Sequence, residues 1–107
     1  MANYRYRYTD VPSLLQGDMP DDGEQVCYLC RRYGLMDFHH ILPNARKDAS
    51  EKLGAWVWLH RPCHKYIHDT AQGIQKWEMW KRDCQTEFER FHTREEWMRY
   101  AHKNYRD

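Results

Sequence analysis

Hydrophobic and polar positions along the chain change period several times. Tyr4-Arg5-Tyr6-Arg7-Tyr8 alternates with period two, which predicts a short strand with tyrosines on one face and arginines on the other. The segment VPSLLQGDMPDDGEQ, with its prolines and glycines, predicts a linker with at most one helical turn. Cys27-Tyr-Leu-Cys30 has the spacing of a tight turn, and Gly34 to Pro43 reads as an extended run that Pro43 breaks. Asn44 to Gly54 reads as a polar loop. Trp56-Val57-Trp58-Leu59 is short, aromatic and β-branched, so it predicts a second strand that closes a β-hairpin with the first extended run.

Pro62 suits the first turn of a helix carrying Cys63, His64 and His68. Ile74, Trp77, Trp80, Cys84, Phe88 and Phe91 recur at helical spacing and predict a long amphipathic helix over 71–91, with Cys84 as a core residue. Thr93 and Glu96 form a capping box for a last helix whose inner face is Trp97 and Ala101. The fold class is α+β: a hairpin, a helix, then a helical C-terminal half. One domain is expected, divided into an arm and acidic linker over 1–24, a Cys- and His-bearing core over 25–70 and C-terminal helices over 71–107.

Composition narrows the function classes. Sixteen aromatic residues in 107 exclude a disordered chain despite 31% charged residues. Apolar runs fall well short of the roughly 20 residues that a membrane helix needs, and the first residues lack the apolar centre of a signal peptide, so an intracellular, cytoplasmic protein is expected. The net charge of +1 conceals unequal blocks. Residues 10–24 carry five acids and no base, whereas residues 25–65 carry seven bases against three acids. A solvated face also produces such an excess, but here it coincides with the Cys and His residues, where a phosphate-binding surface has a use.

Without an export signal the cysteines read as metal ligands rather than a disulfide framework. Cys27 and Cys30 form C-x-x-C, and His60 and Cys63 form H-x-x-C about thirty residues later; two such pairs joined by a hairpin suit a closed tetrahedral structural Zn site. His64 and Cys84 are the alternatives to His60 as fourth ligand. A second constellation is His39-His40 in the extended run and His64-x-x-x-His68 on the helix. Helix positions i and i+4 share a face, so His64 and His68 can grip one ion. Neighbours on a strand point to opposite sides, so one of His39 and His40 is a ligand and the other a base.

With Cys27-x-x-Cys30, then His39-His40-Ile41-Leu42-Pro43, then Leu59-His60-Arg61-Pro62-Cys63-His64 and His68, residues 25–70 resemble the HNH, or ββα-metal, nucleases. Arg46-Lys47, Ser50-Glu51-Lys52, Thr93 to Trp97 and Lys103 to Tyr105 resemble small phage and prophage HNH-type proteins. The resemblance implies a zinc-stapled ββα-metal core that hydrolyses DNA. The double histidine is similar to that of the colicin-type DNases. By that likeness His39 binds a divalent ion such as Mg, Mn, Ni or Zn together with His64 and His68, and His40 is the general base. Arg46, Lys47, Arg61 and Lys65 are then candidates to hold DNA phosphates. The chain departs from the pattern at Ala55, which stands where the family's middle asparagine is expected; Ser50 and Asp48 are the residues able to replace it. That departure supports an alternative, a catalytically silent zinc-binding module that binds DNA or a host protein.

Overall fold

The computed structural model describes residues 9–17, 25–43 and 46–107. The Tyr4 to Tyr8 alternation and most of the acidic run lie outside them. In chain order the elements are β1 (Gln25–Val26), β2 (Tyr33–Gly34), β3 (Asp37–His40), α1 (Lys47–Leu53), β4 (Trp56–Leu59), α2 (Arg61–Asp69), α3 (Ala71–Phe88) and α4 (Arg94–Ala101). Two antiparallel hairpins result, β1 with β2 and β3 with β4, beside four helices: a small α+β globule. None of these helices is long and apolar enough to cross a membrane.

β4 is buried along its whole length, which is why its apolar run is continuous rather than alternating. It pairs Asp37 with Leu59, Phe38 with Trp58, His39 with Val57 and His40 with Trp56. Side chains alternate across the pleat, so Asp37, His39, Val57 and Leu59 share one face and Phe38, His40, Trp56 and Trp58 the other. On the second face Phe38 stacks on Trp56 at 4.8 Å and meets Trp58 edge-on at 5.6 Å. Residues 11–17 dock on the same hairpin rather than hang as a linker. Ser13 Oγ donates to the Trp56 carbonyl at 2.5 Å, Trp56 Nε1 donates to the Val11 carbonyl at 3.0 Å, and the Trp58 N–H donates to Gln16 Oε1 at 2.7 Å.

The segment expected as a polar loop contains α1. Its buried residues are Ala49, Ser50 and Leu53, a one-sided stripe with a single large apolar side chain, too thin to stand out in the sequence. Gly54 ends the helix in the left-handed conformation at φ 83°, returns its N–H to the Ser50 carbonyl, and approaches the Pro12 carbonyl so closely that a Cβ would collide with it.

Pro62 lies in the first turn of α2, as the sequence predicts. α3 starts at Ala71, capped by Thr70, but stops at Phe88; Phe91 lies beyond its end and is 80% exposed, and Ile74 is 45% exposed. Trp80, Cys84 and Phe88 form the buried stripe, joined by Gln85 and Lys81. α4 begins with the Thr93–Glu96 capping box and buries Trp97 and Ala101. The C-terminal tail is tied back to α3: the Tyr105 N–H donates to Gln85 Oε1 at 2.7 Å, and Gln85 Nε2 donates to Asn104 Oδ1 at 2.9 Å.

Candidate metal centres

Three thiols converge where the first hairpin meets α2. Residues 28–30 turn, the Cys27 N–H donates to the Arg32 carbonyl, and the Arg31 N–H donates to the Cys27 carbonyl, with Arg31 at φ 68°. The knuckle is fixed to the main hairpin by the Tyr28 N–H, which donates to the Trp58 carbonyl at 2.9 Å. The first turn of α2 adds Cys63, and the sulfurs of Cys27, Cys30 and Cys63 lie within 4.8 Å of one another. The Cys30 thiol sits below its ordinary value: burial raises it, but that is outweighed by hydrogen bonds from the Arg32 backbone and from the Cys27 and Cys63 side chains. Cys63 is pushed up to about 12 by burial and by its two sulfur neighbours. Three sulfurs this close are a donor set for a thiophilic cation, so the residues fit a Zn ion.

His60 is not in this group; it precedes α2 and lines a shallow depression with Leu35, Asp37 and Arg61. Neither alternative fourth ligand joins it. His64 belongs to the second group, and Cys84 is enclosed in the α3 core, where burial, Asp83 and Glu87 push its thiol up.

The second group is His39, His64 and His68, whose ring nitrogens lie within 4.8 Å of one another. β3 aims His39 inward at the face of α2 that carries His64 and His68 one turn apart. Ring centroids are 5.1 Å for His39–His64, 5.5 Å for His39–His68 and 4.9 Å for His64–His68. His39 is 2% exposed, and its Nε2 is a buried polar atom with no hydrogen-bond partner among the described residues. Burial, then the charges of His64 and His68, hold its pKa well below the ordinary value; burial and His64 also lower His68. Three imidazoles whose ring nitrogens gather this closely, one of them buried without a partner among the described residues, are a donor set for a divalent cation, so the residues fit such an ion.

A carboxylate orients one of these rings. His64 Nδ1 meets Asp37 Oδ2 at 3.1 Å, which leaves Nε2 as the nitrogen turned to the group. Asp37 is itself held by Arg61, through Nε at 3.1 Å and Nη2 at 2.9 Å. Burial raises the Asp37 pKa, but the hydrogen bonds from Arg61 and His64 outweigh it and bring the carboxyl below its usual value.

His40, on the other face of β3, is not in the group. Its Nε2 meets Glu51 Oε2 of α1 at 2.8 Å. A cleft of about 470 Å³ nevertheless takes in both faces at the end of the strand, lined by His39, His40, His64, His68, Glu51 and Lys47 among others. Of the residues expected to hold phosphates, Lys47 lines this cleft. Arg61 is engaged with Asp37, and Lys65 pairs with Asp69 at 2.8 Å. Arg46 lines a neighbouring concavity of about 190 Å³ with Lys52, Arg99 and His102.

The sequence reading missed Asp37, Glu51, Lys52 and Arg99. Asp37 had a signal, since it stands two residues before His39 and so shares its face. Glu51 and Lys52 stood in the Ser50-Glu51-Lys52 likeness to phage proteins, but with α1 read as loop nothing gave either of them a role. Ala55 is fully buried, and its backbone bridges the loop: the Ile41 N–H donates to its carbonyl and its own N–H to the Ser50 carbonyl. Ser50 Oγ accepts the Leu42 N–H at 2.9 Å, while Asp48 lies exposed beside the basic concavity. Comparison with known proteins returns no match to a family, a curated protein or a solved structure.

Proposed function

We propose that the chain is a metal-dependent endonuclease of the HNH, or ββα-metal, type that hydrolyses phosphodiester bonds in DNA. One observation carries this reading: three imidazoles, one of them buried with an unpartnered nitrogen, share a cleft with a fourth histidine paired to a carboxylate.

His39, His64 and His68 would hold a divalent cation such as Mg, Mn, Ni or Zn. Bound there, the cation supplies Lewis acidity, neutralising charge on the phosphoryl group and on the departing oxygen. His40 takes the proton from the attacking water, as an imidazole suits near neutral pH. The new bond joins the water oxygen to phosphorus, the bond to the 3′ oxygen breaks, and the ends are 5′-phosphate and 3′-hydroxyl. Lys47 in the cleft and Arg46, Lys52 and Arg99 around the adjoining concavity hold flanking phosphates. Arg61 and Lys65 contribute less, since each already serves a carboxylate. Cys27, Cys30 and Cys63 would hold a structural Zn.

The test is cleavage of plasmid by purified protein with each of the four metals, beside His40→Ala. Metal-dependent nicking that His40→Ala abolishes supports the reading; equal nicking by both proteins ends it. Ala55, which brings no polar side chain to the loop, favours a second reading, a zinc-stabilised module that binds DNA or a host protein without cutting. That module binds one ion per chain, the nuclease two.

A further inference from the structure

α1 grips the end of β3 through two adjacent residues. Ser50 Oγ accepts the Leu42 N–H at 2.9 Å, and Glu51 Oε2 meets His40 Nε2 at 2.8 Å. The first contact is built into the core and the second lies at the cleft. Ser50 is fully buried, Ala49 and Leu53 anchor the same helix face, and Gly54 and Ala55 both return their N–H groups to the Ser50 carbonyl. Glu51 is held from its own backbone as well, because Thr9 Oγ1 donates to its carbonyl at 2.9 Å. A carboxylate fixed in this way accepts N–H from Nε2, so the neutral ring is held as the Nε2–H tautomer and its rotation is restricted. Glu51 lines the cleft beside His40 but stands outside the His39–His64–His68 group.

We propose that Glu51 is the positioning residue for His40, and that Ser50 sets the height of α1 so that the two meet. The inference rests on the endonuclease reading and adds to it the residue that presents the base. Orientation of a catalytic histidine by a carboxylate acts on turnover rather than on substrate binding.

The experiment uses the full chain loaded with Zn and Mg and a short fluorescent DNA duplex, with Glu51→Ala, Glu51→Gln and Ser50→Ala. Glu51→Ala is expected to lower kcat by about 10- to 1,000-fold with KM within about twofold. Glu51→Gln keeps an acceptor oxygen and is expected to recover most of the loss. Ser50→Ala is expected to give an intermediate defect. Nitrogen-detected NMR of the histidine rings gives a readout besides activity: His40 shows the Nε2–H pattern in the wild type and a mixture in Glu51→Ala. Wild-type kcat in Glu51→Ala overturns the proposal and leaves the nuclease reading standing. Loss of one ion per chain in Glu51→Ala also overturns it, making Glu51 a ligand. A wild type that cleaves nothing with any metal defeats the nuclease reading itself, and the positioning role with it, whatever the NMR pattern.

Discussion

Gly73 faces the backbone of Tyr66 so closely that a Cβ would overlap the Tyr66 carbonyl. This contact sets the corner between α2 and α3. Thr70 completes it, donating from Oγ1 to the Tyr66 carbonyl at 2.9 Å and accepting the Gly73 N–H at 2.9 Å. Across the corner the Trp77 ring lies 4.7 Å from both His39 and His68, and Trp77 Nε1 donates to the Ile41 carbonyl at 2.5 Å. A methyl group at position 73 must therefore push α3 off α2 and disturb the wall behind the histidines. Gly73→Ala is expected to destabilise the fold by about 2–4 kcal/mol, an overpacking cost, measured by urea unfolding. It should also weaken cation binding at the histidine group, read by titration with Zn.

Asp37 links the strand to both Arg61 and His64, and its contribution is separable from the fold. Asp37→Ala leaves the Cys27, Cys30 and Cys63 cluster untouched but frees His64 to rotate about its side-chain bonds. Carboxylate partners of ligating histidines are worth about 10- to 100-fold in metal affinity, so calorimetric titration should show that loss for one of two binding events. Arg61→Ala, which removes a partner of Asp37 and leaves the Asp37–His64 contact in place, should cost less.

How far the sequence could be read follows from where each element gets its stability. β4 was legible because a strand buried on both faces must be apolar at every position. α4 was legible because Thr93 and Glu96 satisfy its first turn locally. The pairing of His64 with His68 could be argued from the helix period of 3.6, and one ligand from His39-His40 from strand alternation, whereas the choice of His39 came from the likeness to the colicin-type DNases. α1 was not legible: its stability comes from Ser50 and Gly54 meeting Leu42 and residues 11–14, contacts that no local pattern announces. The basic residues show the opposite failure. Arg61 and Lys65 counted toward a phosphate surface on charge alone, yet Lys65 and Asp69 stand at i and i+4, a pairing the sequence already offered. The pairing of Arg61 with Asp37 needed the hairpin to form first.

Cys63 and His64 are adjacent in α2 yet belong to different groups, because successive helix positions point about 100° apart. The two groups should therefore load independently. The wild type is expected to retain two ions per chain, Cys63→Ser one and His68→Ala one, counted by elemental analysis of dialysed protein. The thermal consequences should differ. Chelation or Cys63→Ser unpins the knuckle from α2 and should lower Tm by more than about 10 °C, because structural metal binding is itself folding free energy. His68→Ala should change Tm by only a few degrees.

Glu89 makes the C-terminal helices sensitive to acid. Its carboxylate, 10% exposed, accepts from Arg94 Nε at 2.9 Å and from Arg106 Nη1 at 2.5 Å, and Gln85 Nε2 donates to it at 2.8 Å. Arg94, with smaller help from Gln85 and Arg106 against the cost of burial, holds its pKa at about 2, below the ordinary 4.5. The folded pKa is depressed, so the stabilisation is complete above about pH 4.5 and is lost as pH falls toward 2. Gln85 and Arg106 bind this group from α3 and from the tail, so protonation should release the tail and α4 before the hairpin. Glu89→Gln should show a lower Tm at pH 7 and a flatter dependence between pH 4.5 and 2 than the wild type, measured by circular dichroism. Parallel slopes for the two proteins across that window would show that the acid sensitivity resides elsewhere.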